Sequence, residues 1–138
     1  YYNIPIKKTS VIYLGCDHLK KYKKKNSLKS KDKYFLYVGD RDKYKNFKIL
    51  SKAINKSKKL KNIKVICFGG GKFSEDEIKK YNLGDNFINY EGDDYLLSNL
   101  YKNAIAFINT SKYEGFGITN IEAMYLGCPV IFFRLYNI

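Results

Sequence analysis

The sequence predicts an α/β fold, and two observations carry that prediction. From residue 34 onward, short apolar runs rich in β-branched and aromatic residues alternate with longer amphipathic stretches. Several of the apolar runs end at glycine, which marks the turn that follows a strand. Strands that alternate with helices pair in parallel through right-handed crossovers, so we predict a Rossmann-like open parallel sheet with helices on both faces. A chain of 138 residues can bury one core of this kind.

Each element follows from its own stretch of sequence. The predicted strands are the apolar runs at residues 10–15, 34–38, 64–68, 87–90, 104–108 and 130–133. The predicted helices have apolar residues at helical spacing and span residues 47–54, 74–81, 95–103 and 119–126. Ser74 and Glu77 have the spacing of a capping box, which starts the second helix, and Gly127 ends the last helix before Pro129.

A lysine-rich block separates the first predicted strand from the others. Residues 20–33 contain eight Lys and almost no large aliphatic side chain. Like charges at this density repel one another and stay solvated, which predicts a linker or loop. We therefore divide the chain into an entering strand with a lysine-rich linker, residues 1–33, and a Rossmann-like domain, residues 34–138.

The net charge of +13 allows several classes of partner, among them nucleic acid, an anionic membrane surface and a phosphate-bearing substrate. Arg41 and Arg134 are the only arginines among 26 basic residues. Because Arg is the usual reader of base edges, this composition argues against nucleic acid as a partner. A codon bias toward A and T is the plain explanation of the lysines.

The cysteines and the hydropathy pattern bear on the cellular setting. Cys16, Cys67 and Cys128 are odd in number and far apart, which fits neither a disulfide framework nor a zinc site. No apolar run approaches the roughly 20 residues of a membrane-spanning helix. The sequence therefore predicts a reducing, cytoplasmic setting, with a peripheral contact to an anionic membrane left open.

The loop before the last helix has the residues of a ligand site. Gly115 and Gly117 allow close approach of the backbone to a ligand, and the helix that follows directs its positive end at a bound anion. Glu114 and Glu122 flank this loop as two carboxylates, which suits the recognition of sugar hydroxyls. Glu122 has a second interpretation, because Thr119 and Glu122 also have the spacing of a capping box.

This loop and its surroundings resemble a known family. The letters YEGFG at residues 113–117, EAM at residues 122–124 and GCPVI at residues 127–131 match a signature of retaining glycosyltransferases of family 4. These enzymes, also called glycosyl transferase group 1, have the two-domain GT-B architecture. The resemblance implies that Glu114 is catalytic and faces the donor sugar together with Gly115, Phe116 and Gly117, and that Glu122 accepts the ribose hydroxyls of the nucleotide.

The resemblance extends back through most of the chain and implies further donor-binding residues. Lys45 falls on the lysine that grips the donor diphosphate, and Arg41 is the nearest arginine, although it is not at the commonest spacing. Tyr44 stands where an arginine is frequent. Gly70 belongs to a glycine turn that shapes the nucleotide site. An ammonium group can neutralise a departing diphosphate, and we expect neither a cofactor nor a metal.

The function implied is that of one half of a GT-B enzyme: a domain that binds a nucleotide-diphosphate sugar for the transfer of a hexose to an acceptor hydroxyl. The N-terminal acceptor-binding domain is then missing, and the domain at residues 34–138 is truncated at its C-terminus. The isolated chain is expected to bind its donor weakly and to transfer nothing. Two alternatives remain: a basic nucleic-acid-binding module that uses residues 20–33, and a non-catalytic nucleotide-sugar-binding subunit. His18, the only histidine, is expected to be structural.

Overall fold

A computed structural model describes residues 5–23 and 32–133 of the chain. Five parallel strands form one sheet in the order β3-β2-β1-β4-β5. In chain order they are β1 Tyr34–Val38, β2 Lys64–Phe68, β3 Phe87–Tyr90, β4 Ala106–Asn109 and β5 Val130–Phe132. The strand order confirms the predicted Rossmann-like open sheet.

Helix α1 precedes the first strand, and the other four helices connect successive strands and cover both faces of the sheet. They are α1 Lys20–Lys23, α2 Phe47–Lys56, α3 Glu75–Tyr81, α4 Asp94–Asn103 and α5 Ile118–Tyr125. One buried cluster includes residues of α2 and α3, and the other includes residues of α4 and α5. The prediction of helices on both faces is therefore confirmed.

Strand β1 shows how the sequence pattern builds the two cores. Its side chains alternate between the faces, so Tyr34 and Leu36 pack in the core with α4 and α5, whereas Tyr37 packs in the core with α2 and α3. A strand that is buried on both faces has an unbroken run of apolar residues and no apolar–polar alternation. The sequence of β1 is such a run. The edge-to-face contact of Tyr37 with Phe47, at 4.9 Å between ring centroids, ties α2 to the sheet.

The predicted capping box at the start of α3 is present. The Ser74 hydroxyl accepts a hydrogen bond from the Glu77 backbone N–H at 3.2 Å, and the Glu77 carboxylate accepts one from the Ser74 N–H at 3.1 Å. These two bonds satisfy amides that the first turn of a helix leaves without a partner. They also hold the Glu77 side chain at the helix start, where its carboxylate pairs with Arg41.

The predicted strand at residues 10–15 is wrong. This segment forms no strand in the described structure, and Val11, Ile12 and Tyr13 are at least 80% exposed. Apolar composition alone does not make a strand, because the backbone also needs a neighbouring strand with which to pair. Burial begins only at Cys16 and Leu19, which pack into the core with α4 and α5.

The lysine-rich linker is only partly described. The prediction of a loop is wrong for its first residues, which form the short helix α1, because Leu19 and Tyr22 pack them against the core. Residues 24–31 lie outside the described residues, as do residues 1–4 and 134–138. The division of the chain at residues 33 and 34 therefore stays a prediction. In the described part of the chain, no helix is both long enough and apolar enough to cross a membrane.

Candidate functional site

The strand order places a crevice between the carboxyl ends of β1 and β4. The chain leaves β1 toward β2 on one side and leaves β4 toward β5 on the other side, so the two connections diverge at this point. In open α/β sheets, ligands bind at such a switch point, beyond the carboxyl ends of the strands. The loops that follow β1 and β4 carry Lys45 and Glu114.

Lys45 and Glu114 meet across this crevice. The Lys45 ammonium donates a hydrogen bond to the Glu114 carboxylate with 2.9 Å between Nζ and Oε1. The two loops are also fastened through their backbones, because the Thr110 hydroxyl donates to the Lys45 carbonyl and the Lys112 N–H donates to the Tyr44 carbonyl, each at 2.8 Å. Lys45 is therefore held in place and does not belong to the freely solvated lysines.

Glu114 lies among groups that favour its ionised form. Its burial opposes ionisation, but hydrogen bonds from Ser111, Lys45 and Asn109 outweigh that effect and hold the pKa of the carboxyl below its ordinary value. Asn109 is the last residue of β4, and its side-chain amide lies 3.5 Å from Glu114. The crevice thus presents an ionised carboxylate beside a cation.

The glycine loop after Glu114 ends in a residue with left-handed backbone conformation. Gly117 has a φ of 71°, in the left-handed region that favours glycine. A Cβ at Gly117 would lie 2.6 Å from the side-chain nitrogen of Asn120, so a larger residue would displace that side chain. The Asn120 oxygen accepts a hydrogen bond from Asn109 at 2.8 Å, which joins the first turn of α5 to the end of β4. Phe116 is 43% exposed at the tip of the loop.

Glu122 does not cap helix α5. The helix begins at Ile118 with Gly117 as its N-cap and without a side-chain cap, so the alternative of a capping box at Thr119 and Glu122 is wrong. The reason is the left-handed Gly117, which starts the helix earlier than Thr119 would. Glu122 instead lies in the second turn, where its carboxylate contacts His18 at 3.2 Å and Tyr101 at 3.3 Å. Burial raises the pKa of Glu122, and these two partners offset only part of that effect.

Arg41 occupies a different place from the one that the sequence suggests. Its side chain is 2% exposed, and its Nε donates to Glu77 at 2.7 Å. The remaining guanidinium nitrogens donate to the carbonyls of the glycine turn, at 3.1 Å to Gly69 and 2.8 Å to Gly70. The guanidinium is therefore directed into the protein, where it fixes the glycine turn, and not into the crevice.

Gly70 is required at this turn. Its φ is 72°, and a Cβ there would lie 2.8 Å from a guanidinium nitrogen of Arg41 and 3.1 Å from the Gly39 carbonyl oxygen. The glycine turn after β2 and the loop after β1 therefore depend on each other. Gly70 shapes the edge of the site through Arg41, with no side chain of its own.

The pair of Arg41 and Glu77 predicts an acid-dependent stability. The Arg41 hydrogen bond, opposed by burial and aided by Ser74, lowers the pKa of Glu77. Because the pKa is depressed in the folded protein, the stabilisation is complete above the unfolded value of about 4.3 and is lost as the pH falls through the folded value. In urea unfolding from pH 7 to pH 2.5, we expect Glu77→Gln to be less stable than the unmodified protein at pH 7 and to converge with it at low pH. A constant difference at every pH would contradict the assignment.

Several residues of the site have little or no signal in the sequence. Asn109 and Ser111 support Glu114 directly, and the only signal for them was that polar residues follow the apolar run of β4. Asn120, in α5, supports Glu114 through Asn109 and had no such signal. Tyr101 belongs to the apolar stripe of α4, so its hydroxyl gave no sign of a contact with Glu122. The predicted site residues fall into three groups: Lys45 with Glu114 and the loop of residues 115–117, Arg41 with Gly70, and Glu122 with residues outside the prediction.

Comparison with protein families shows to which family this chain belongs. The family model described as glycosyl transferases group 1 matches residues 19–138, which include both loops of the crevice. The chain belongs to the glycosyl transferases group 1 family. A relative of this group 1 domain is an uncharacterized glycosyltransferase of Methanocaldococcus jannaschii, 29% identical over 146 residues. The alignment covers 94% of this chain and 37% of that relative, so the chain spans little more than a third of the relative's length.

Solved structures share the fold of this group 1 domain. The lipopolysaccharide outer core galactosyltransferase WaaB, in its apo form, matches with a TM-score of 0.60 and 23% identity over 94% of this chain and 38% of its own. A variant of TarM from S. aureus, solved in complex with fondaparinux, alpha-GlcNAc-glycerol and UDP, matches with a TM-score of 0.62 and 23% identity. That match covers 79% of this chain and 23% of TarM. The group 1 domain is therefore a Rossmann-like half of a GT-B fold.

Proposed function

We propose that this group 1 domain binds the donor of a retaining glycosyltransferase, which transfers a hexose from a nucleotide-diphosphate sugar to an acceptor hydroxyl. The observation that carries the proposal is the pair of Lys45 and Glu114 at 2.9 Å in the crevice between β1 and β4. A cation beside an ionised carboxylate suits a ligand that brings both an anionic group and hydroxyl donors. A nucleotide sugar has both on adjacent parts of one molecule.

The roles follow from the charges of these side chains. In the transfer, the bond between the anomeric carbon and the diphosphate oxygen breaks, a bond to the acceptor oxygen forms on the same face, and the proton of the acceptor hydroxyl passes to the departing diphosphate oxygen. The departing diphosphate gains negative charge, which the Lys45 ammonium stabilises. Glu114 is the catalytic residue in this proposal, because it contacts the donor sugar and accepts hydrogen bonds from its hydroxyls. The amides of Gly115, Phe116 and Gly117 lie at the positive end of α5 and face the same sugar.

The other residues act around this centre. Glu122 accepts the ribose hydroxyls, while Arg41 and Gly70 hold the glycine turn beside the nucleotide. We assign no cofactor and no metal to the reaction, since Lys45 supplies the positive charge for the leaving group. Among residues 5–23 and 32–133, no group of three His, Cys, Asp or Glu side chains is arranged to hold a metal ion.

The acceptor and catalysis require a second domain in this proposal. The chain covers 37% of the M. jannaschii relative and 38% of WaaB, both of which are named as glycosyltransferases. We expect this chain alone to bind the donor and to transfer nothing. A non-catalytic subunit would bind in the same way and would stay inactive when joined to an acceptor domain.

Titration calorimetry with nucleotides tests the proposal. UDP is the first probe, because TarM was solved with UDP, and GDP is the second. We expect one of them to bind, and the matching nucleoside to bind more weakly. A basic nucleic-acid-binding module would instead bind a single-stranded oligonucleotide with a steep salt dependence and would ignore both diphosphates. That result would overturn the proposal.

Glu122→Gln separates the binding role of Glu122 from a structural one. The loss of a charged acceptor of hydroxyl groups is expected to weaken UDP binding by about 1.5–3 kcal/mol. The melting temperature is expected to change little, because burial already disfavours the carboxylate charge that the amide removes. Calorimetry beside a thermal melt measures both quantities. Unchanged affinity with a lowered melting temperature would leave Glu122 with a structural role alone.

A further inference from the structure

Glu122 is a carboxylate held from two sides in an otherwise apolar core. Its side chain is 12% exposed, and it packs among the buried residues between α4, α5 and the segment before β1. Its Oε2 lies 3.3 Å from the Tyr101 hydroxyl, which is also 3.2 Å from the Thr119 carbonyl oxygen. Tyr101 has a single O–H, so these two acceptors share one proton. Tyr101 therefore cannot fix the carboxylate by itself.

The second partner of Glu122 comes from a distant part of the sequence. The His18 Nε2 lies 3.2 Å from Glu122 Oε1, and the His18 side chain is 42% exposed. In the tautomer that carries its proton on Nε2, His18 donates to this oxygen, because an ionised carboxylate only accepts hydrogen bonds. The Oε1 oxygen therefore contacts a side chain that is itself partly open to solvent, whereas Oε2 contacts the buried Tyr101.

The segment that carries His18 is firmly attached to the domain. Cys16 and Leu19, on either side of His18, are buried in the core with α4 and α5. Farther along, the Tyr22 ring packs against Tyr95 of α4, and Lys102 donates a hydrogen bond to the Tyr22 carbonyl. The imidazole is thus presented to Glu122 from a fixed backbone, which is what a positioning group requires.

We propose that His18 is a positioning residue for nucleotide binding: its Nε2–H holds the Glu122 carboxylate in the orientation that accepts the ribose hydroxyls. This inference rests on the proposed function, in which Glu122 binds the ribose. The proposal gives a role in ligand binding to the segment before β1, which contributes no strand to the sheet and no loop to the crevice. His18 itself does not touch the reacting atoms.

The test compares UDP with 2′,3′-dideoxy-UDP, which lacks both ribose hydroxyls. The ratio of their affinities isolates the ribose contact, because the diphosphate is the same in both. We expect the chain to prefer UDP, His18→Ala to reduce that preference about fivefold or more, and His18→Gln to restore most of it, since the amide can donate the same hydrogen bond. Lys20→Ala is the matched control on the same segment. The Lys20 side chain is 67% exposed and pairs with Asp17, so the preference is expected to stay unchanged.

A second readout needs no variant. His18 is the only histidine of the chain, so its imidazole gives a single set of NMR signals. UDP is expected to shift these signals more than dideoxy-UDP does, and the difference is expected to vanish in Glu122→Gln. An unchanged preference in His18→Ala, or imidazole signals that respond equally to both nucleotides, would overturn the role of His18 while the proposed function stands. Failure of the unmodified chain to bind either UDP or GDP would overturn both.

Discussion

Replacement of Arg41 by alanine is expected to lower the free energy of unfolding by about 3 kcal/mol, the low end of the cost of breaking a buried ion pair from one side, because the Glu77 side chain left behind is 23% exposed. The Arg41 side chain is 2% exposed, so its contacts are made away from water. Its removal leaves Glu77 without its cation and takes from the Gly70 carbonyl the Arg41 donor. The Gly69 carbonyl keeps only its longer contact with the Asn89 amide, at 3.4 Å. Urea denaturation of the two proteins measures the difference.

Two controls define what this result means. Lys48→Ala removes one positive charge from an exposed side chain of α2 and is expected to change stability by less than about 0.5 kcal/mol. Arg41→Lys keeps the charge but lacks the planar fork, so it is expected to recover only part of the loss. If Arg41→Ala were as stable as Lys48→Ala, the guanidinium would not be the support of the glycine turn.

Replacement of Lys45 by alanine is expected to weaken UDP binding by about 1.5–3 kcal/mol, the strength of a charge-assisted hydrogen bond. Uridine, which has no phosphate, is expected to bind the variant and the unmodified chain equally. The contrast isolates the diphosphate, because both ligands carry the same base and ribose. Titration calorimetry with each ligand measures the two affinities.

Lys43→Ala and Lys48→Ala are the controls for net charge. Both side chains are exposed and lie close to Lys45 in the sequence, and each substitution removes the same charge. A general electrostatic attraction would weaken UDP binding similarly in all three variants, and the effect would shrink in high salt. Equal losses of affinity in all three variants would mean that Lys45 makes no specific contact with the diphosphate. The proposed function would then lose its main support.

Local patterns were sufficient to predict most of the fold. The strands Tyr34–Val38, Lys64–Phe68 and Phe87–Tyr90 have the limits predicted from their apolar runs. Residues 10–15 are similarly apolar but form no strand. A strand needs a partner strand, and a single stretch of sequence does not reveal one. The start of α5 was likewise set by the backbone conformation of Gly117 and not by the polar spacing that follows it.

The candidate site was harder to predict, since its contacts join distant residues. The sequence motif placed Lys45 and Glu114 on two loops, and the strand order brings those loops together. Arg41 lies in the predicted loop, but its partner Glu77 is 36 residues away, and only the folded chain shows that the guanidinium is already engaged. The contact between His18 and Glu122 spans 104 residues and has no local signal at all.

The exposed segment at residues 10–15 has a practical consequence for limited proteolysis. Proteases need an accessible backbone that can extend through their active sites, and such exposed segments are preferred sites of cleavage. Lys7 and Lys8, both exposed, precede the segment, while burial begins at Cys16. Trypsin therefore has a cleavage site N-terminal to Cys16, the first residue that packs into the core. A cut after Lys8 leaves every residue of the crevice, together with His18, on the same side of the break.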